Sequence, residues 1–364
     1  MKKILLVAPV PPPYGGIANW TAMMNEYVED SKEIQFCSVN TAPKRRALDG
    51  RSLFERIVID GLKMFKKRKE VKKLIKAEQP IAVHITTSGQ FAVIRDILLL
   101  KAIRKFKNHP KTVYHIRFGR IPEIAQANTK EWKRIKKALM LSDEVIAIDR
   151  RTEDAIKNFL PNVKVRYVPN PFNLEKLDKL EIQPSSHKKE ILFLGWVVKT
   201  KGIEELLNAW GNIKNDYTDW QLRIVGPYSS DYMEELKGKF SLESVVFEGE
   251  KQHDVSMRLL AETGIFILPS YTEGFPNVVL EAMAFKKPII ATKVGAIPDM
   301  LADGCGTLIE TQSSTAIEVA LKRLINDEEL RLQMGSKARD KLENEYTLDC
   351  VFQQYLTVWG ESKN

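Results

Sequence analysis

The chain has 364 residues, 44% of them hydrophobic and 28% charged, with 19 glycines and 17 prolines; at roughly 150 residues per domain this predicts two domains and excludes a single small module, a collagen-like repeat and a low-complexity chain. Three widely separated cysteines, Cys37, Cys305 and Cys350, exclude a disulfide framework or a paired-cysteine metal knuckle and fit a reducing cytoplasm. The net charge of +9 is uneven: residues 1–170 hold 34 basic and 17 acidic residues, residues 171–364 hold 22 and 30, so the N-terminal half is expected to face an anionic partner.

In chain order, Lys2 and Lys3 precede the apolar run Ile4-Leu5-Leu6-Val7, which is too short for a signal peptide and is followed at once by Pro9, Pro11, Pro12 and Pro13. A buried first strand is the expectation. Further β-branched runs at 34–39, 81–85, 112–116, 144–148 and 165–168 predict strands separated by helical segments, the rhythm of a doubly wound parallel sheet. Segment 63–76 carries eight basic residues, among them Lys66, Lys67, Lys72 and Lys73, against Glu70 alone, with Leu62, Phe65, Val71, Leu74 and Ile75 at nearly helical spacing. It predicts a basic amphipathic helix and, with it, peripheral attachment to an anionic membrane surface through the N-terminal domain, the alternative being a solvated helix whose apolar stripe packs on the sheet. No window approaches the roughly 18 apolar residues needed to span a bilayer.

At Pro169-Asn170-Pro171 the pattern breaks into a polar stretch, through Gln183-Pro184-Ser185-Ser186, that reads as a linker. The rhythm then restarts, with strands predicted at 191–194, 222–225, 245–247, 265–268 and 288–292 and helices at 202–212, 232–240, 277–285 and 315–324. The fold class expected is α/β, two Rossmann-like parallel-sheet domains facing across a cleft: residues 1–170, onto which a helix of about 345–364 packs back, and residues 171–344. In such sheets ligands sit beyond the carboxyl ends of the strands.

The sharpest local signal runs from Pro269 to Ala284. Glu273 lies in a strand-end loop, Gly274 permits close backbone approach, and Pro276 and Asn277 open a helix whose free N–H groups make an anion site. Glu281 follows eight residues later, placed to accept hydrogen bonds from sugar hydroxyls; a helix cap and a solvated surface residue would give the same spacing. The histidines His84, His109, His115, His187 and His253 show no metal spacing. The basic half comes with no recognised nucleic-acid motif, so no nucleic-acid partner is expected.

This stretch, continued by Lys287 to Pro298, closely resembles the signature of the retaining GT-B glycosyltransferases of family 4. Further matches lie at Pro13-Tyr14-Gly15-Gly16-Ile17, Val168-Pro169-Asn170, Gly195, Lys201-Gly202, Ile224-Val225-Gly226 and Val246-Phe247-Glu248-Gly249. The resemblance implies transfer of a sugar from a nucleotide diphosphate sugar to a hydroxyl of a glycan or lipid-linked acceptor, with retention, in bacterial surface polysaccharide biosynthesis, without a cofactor or metal. It implies that Glu281 holds the donor ribose, that Glu273 with the backbone of Gly274, Phe275, Pro276 and Asn277 holds the sugar, that Lys201 neutralises the diphosphate, and that Gly16 brings a backbone N–H to the phosphates. His115 or Arg117 occupies the family's position near the reacting sugar, and Arg117 and Arg120 are candidates for an acceptor phosphate. Trp196 stands where the family commonly has an arginine, so Lys199 or an arginine of the first domain compensates, or donor binding is altered. A non-catalytic GT-B protein and a nucleotide-sugar epimerase are the alternatives.

Overall fold

The computed structural model describes residues 1–12, 15–29, 31–42, 53–182 and 188–360, the side chains of 53–64 aside. The chain divides into two compact units, Met1–Asn170 with Val351–Asn364, and Pro171–Cys350. The first crossing falls between Asn170 and Pro171. The return falls at Val351, later than 345, because Tyr346 and Leu348 are tied to the second unit: Tyr346 O accepts from Phe172 N at 2.7 Å and Leu348 N donates to Phe172 O at 3.1 Å. The polar stretch 183–187, His187 included, lies outside the described residues, as do Pro13 and Tyr14.

The first unit is a six-stranded parallel sheet of β1 (Lys2–Ala8), β2 (Ile34–Asn40), β3 (Ala82–Thr87), β4 (Lys111–Ile116), β5 (Glu144–Ala147) and β6 (Val165–Tyr167) in the order β2-β1-β3-β4-β5-β6. Ile4, Leu5, Leu6 and Val7 are fully buried, as a central strand covered by helices on both faces must be. The chain steps from β1 to β2 on one side and then returns past β1 to lay down β3, so the order reverses between β1 and β3. The segment read as a basic amphipathic helix belongs to the helix Leu53–Glu78. Its Val71 and Ile75 are buried in the sheet's core with Leu74 packed against it, whereas Phe65 is 59% exposed; the side chains of Leu62 and Lys63 lie outside the described residues.

The second unit is also a six-stranded parallel sheet, of β7 (Glu190–Leu194), β8 (Gln221–Val225), β9 (Val245–Gly249), β10 (Ile265–Leu268), β11 (Ile289–Thr292) and β12 (Thr307–Ile309) in the order β12-β11-β10-β7-β8-β9. Here the order reverses between β7 and β10, which are hydrogen-bonded neighbours. The predicted strands are present to within two residues. Strand β12 was not anticipated, since three edge residues following Gly304 and Gly306 are too few to show a period. The helix His253–Glu262 was not anticipated either; its N-cap Gln252 makes no side-chain capping bond, so the usual Ser, Thr, Asp or Asn start signal is missing. By contrast the helix Ser230–Lys239 begins two residues early because Ser229 accepts from Tyr232 N. Among the described residues no helix is long and apolar enough to cross a membrane.

Candidate functional site

A cavity of about 450 Å³ opens in the second unit at the carboxyl ends of β7, β8 and β10, lined by Leu194, Gly195, Trp196, Val225, Gly226 and Leu268 from the strand ends and by Lys201, Glu273, Pro276, Val278 and Glu281 from the turns and helix that follow. This is the switch point of the sheet, where neighbouring crossovers leave in opposite directions and no helix covers the strand ends. The volume suits a ligand of nucleotide-sugar size.

Two glycines bring the site's loops together. Gly202 adopts φ 72°, and a Cβ there would stand 2.2 Å from the Pro269 carbonyl oxygen; Tyr271 N donates to Thr200 O at 2.9 Å across the same contact. Gly295 adopts φ 54°, and a Cβ there would lie 2.4 Å from the carbonyl oxygens of both Glu273 and Gly274, while Ala296 N donates to Gly274 O at 2.9 Å. The loop after β10 is thus pressed between two neighbouring loops, which only glycine permits at this separation. The consequence is an ion pair between residues 72 positions apart: Lys201 Nζ donates to Glu273 Oε1 at 2.5 Å, both side chains largely buried.

The helix Asn277–Ala284 starts at the cavity wall with Pro276 as N-cap and no side-chain cap, so its first N–H groups are left for a ligand. Phe275 is buried, its ring edge-on to Tyr346 at 6.0 Å, and Asn277 is exposed at the helix start. On the helix, Glu281 faces the cavity. The protein packed around its carboxyl disfavours charge, and its pKa is pushed up to about 7. Desolvation is the one cause, and the side chain has no ion-pair or hydrogen-bond partner among the described residues. Glu281 is therefore not a solvated surface residue, and Glu273, paired with Lys201, does not cap the helix.

The remaining expected residues are distributed differently. Lys199 is 65% exposed, 3.5 Å from Glu204, and is not among the residues lining the cavity. Trp196 does line it, with 60% of its surface exposed. Gly16 is the first residue of the helix Gly16–Val28 in the first unit, with open space where a side chain would be. His115, on β4, is fully buried: its Nδ1 is 3.1 Å from His84 Nε2 and its Nε2 is 3.4 Å from Arg117 Nη1. Arg117 lies over the Trp20 ring at 4.9 Å. Arg120 pairs with Glu131 at 3.2 Å and lies over Phe118. Sequence reasoning missed Glu250, Lys251, His253, Ser256 and Met257, which line the far side of the cavity from the end of β9 and the start of the helix His253–Glu262.

Residues 176–341 match the family described as glycosyl transferases group 1. An uncharacterized glycosyltransferase of Haemophilus influenzae is 30% identical over 229 residues, 61% of this chain and 62% of that protein. A capsular polysaccharide biosynthesis glycosyltransferase of Staphylococcus aureus is 26% identical over 240 residues, 62% of this chain and 63% of its own length. The aligned region thus spans less than two thirds of each of these relatives. Among solved structures, the HepE protein of Anabaena in complex with UDP superposes with a TM-score of 0.71 at 16% identity, over 98% of this chain and 99% of that one, a likeness of fold that extends through both units. Two parallel-sheet units in series, each with its own switch point, make this a GT-B fold, and its residues 176–341 are similar to the glycosyl transferases group 1 family.

Proposed function

We propose that the protein transfers a sugar, with retention, from a nucleotide diphosphate sugar bound in the cavity of the second unit to a hydroxyl of a glycan or lipid-linked acceptor in surface polysaccharide assembly. The observation that carries the reading is the meeting of Lys201, Glu273 and Glu281 at the uncapped helix start of one switch-point cavity. The Anabaena structure with UDP supports a uridine nucleotide as the donor carrier, and the name of the S. aureus relative supports the surface-polysaccharide setting.

Each residue has a task its chemistry suits. Glu281 accepts from the ribose hydroxyls. Lys201 and the N–H groups at the start of the helix Asn277–Ala284 stabilise the departing diphosphate, supplying the charge that a divalent ion supplies in other transferases. Lys201, paired with Glu273, reaches the diphosphate, and the Glu273 carboxylate accepts from the sugar hydroxyls. The leaving phosphate accepts the acceptor's proton on the same face, so no protein nucleophile is required. Trp196 presents a ring face to the ligand in place of a guanidinium.

A panel of nucleotide sugars tests this by thermal shift and by acceptor-free hydrolysis, because a ligand that binds only the folded state raises its apparent stability by mass action. Stabilisation by UDP and one UDP-sugar, lost in Lys201→Ala, is expected. Epimerised donor formed without acceptor would move the reading to an epimerase, and no response to any nucleotide would overturn it.

A further inference from the structure

A row of nitrogens runs through the first unit. Trp359 Nε1 lies 3.0 Å from His84 Nδ1, His84 Nε2 lies 3.1 Å from His115 Nδ1, and His115 Nε2 lies 3.4 Å from Arg117 Nη1. Both ends of the row are obligate donors, an indole N–H and a guanidinium. A neutral imidazole contributes one hydrogen, so four hydrogens must be shared among three contacts that each accommodate one. Both imidazoles are neutral: burial first, then the charge of Arg117, holds His84 down to about 3 and His115 well below the ordinary histidine value. One contact therefore has two hydrogens facing each other, and the contact with Arg117 is the widest. With Trp359 donating to His84 Nδ1, His84 donates from Nε2 to His115 Nδ1, and His115 is left as the Nε2–H tautomer, aimed at a cation.

Arg117 has one neutral oxygen acceptor, the Tyr355 hydroxyl, and no counter-charge among the described residues. Among the described residues no carboxylate lies within ion-pair reach of it; the Trp20 ring, His115 and the Tyr355 hydroxyl surround it. Burial brings its pKa down to about 10. A desolvated guanidinium without a counter-charge is costly, and here it converges with a second donor on the same spot. We propose that His115 Nε2–H and the Arg117 guanidinium form a seat for a phosphoryl oxyanion in the first unit, with Trp359 and His84 as positioning residues that set the His115 tautomer. Arg117 is only half-buried, so its guanidinium is the partner that shifts to admit the oxygen. That the phosphate is carried by the acceptor rests on the sugar-transfer reading; the seat itself does not.

The test uses the full chain labelled with nitrogen-15. Long-range proton–nitrogen spectra are expected to show both His84 and His115 as Nε2–H tautomers from about pH 6 to pH 8. Glycerol 3-phosphate and dioctanoyl phosphatidic acid are titrated in separate arms, and a saturable shift of the His115 nitrogens is expected in at least one; the tighter ligand tells a soluble phosphate ester from a lipid headgroup. Arg117→Met should weaken that ligand about tenfold or more, with UDP affinity unchanged, and Arg117→Lys should retain part of it. Trp359→Phe removes the hydrogen that fixes His84, so mixed tautomers at both histidines and weaker phosphate binding are expected. An Nδ1–H tautomer at His115, or no saturable shift with either phosphate up to about 10 mM while UDP still binds, overturns the seat. Phosphate binding without UDP binding would leave the seat standing and overturn the sugar-transfer reading.

Discussion

The two units are built alike and furnished differently. Each is a six-stranded parallel sheet whose order reverses once, between β1 and β3 in the first and between β7 and β10 in the second. In the second unit the reversal opens on a cavity with an ion pair and an unpartnered glutamate on its wall. In the first, His84 in the middle of β3 and His115 near the end of β4 are fully buried under Trp20, Tyr355 and Trp359. The same sheet topology therefore carries an open polar cavity at the strand ends of one unit and a closed aromatic cluster on β3 and β4 of the other.

The largest effect that would sharpen this contrast is expected at Glu273. Glu273→Ala should lower turnover about a hundredfold while UDP alone binds as well or better, because Lys201 is no longer held by the carboxylate. Steady-state kinetics beside calorimetry separates the two, and equal losses in both would mean that Glu273 shapes the pocket only.

Lys201→Ala comes next. Loss of one charge-assisted contact costs about 1.5–3 kcal/mol, read as weaker UDP binding by calorimetry. His115→Gln, in the aromatic cluster of the first unit, should leave UDP affinity where it was. If Lys201→Ala binds UDP like the parent, the open cavity is not the diphosphate site and the contrast between the units collapses.

A smaller effect follows from Glu281, whose raised pKa of about 7 gives a definite sign. Only the carboxylate accepts from both ribose hydroxyls, so UDP affinity should rise with pH up to about 7 and then level off, and binding near pH 6.5 should release a proton, visible as a heat that depends on the buffer. Because the folded-state value lies above the unfolded one, the empty protein loses stability as pH climbs from the ordinary glutamate range to about 7. Glu281→Gln should therefore be the more stable protein at pH 8 and not at pH 4, in urea titrations.

The smallest effect concerns the helix Leu53–Glu78, which we propose rests on an anionic membrane through its exposed basic residues and Phe65. Each lysine near such a surface contributes about 1 kcal/mol. Co-sedimentation with vesicles should need anionic lipid, fall with salt and drop when Lys66, Lys69, Lys72 and Lys73 become Glu; equal sedimentation with neutral vesicles removes the membrane from the reading.

The strands were legible because a strand buried on both faces is written as an uninterrupted apolar run, and Ile265–Leu268 was located to the residue. The stretch from Glu273 to Glu281 was legible as a helix start, since Pro276 and Asn277 are local signals. What composition and spacing do not contain is three-dimensional pairing. The Lys201–Glu273 contact depends on Gly202 and Gly295 drawing distant loops together, and the burial of His115 depends on Tyr355, 240 positions later in the chain. Helix His253–Glu262 was hidden for a different reason: without a capping side chain, its start resembles loop.

The helix Leu348–Trp359 begins in the second unit and ends in the first, so the covalent chain passes between them twice, at Asn170 and again at Cys350. The chain therefore cannot be divided into its modules with a single cut. A chimera that exchanges the second unit for that of a relative needs two junctions, 170/171 and 350/351; a single junction would import a foreign tail, and His84 would meet whatever residue that tail holds in place of Trp359. The last turns of the polypeptide are, in modular terms, part of the first gene segment rather than the second, and donor exchange by recombination has to respect that bookkeeping.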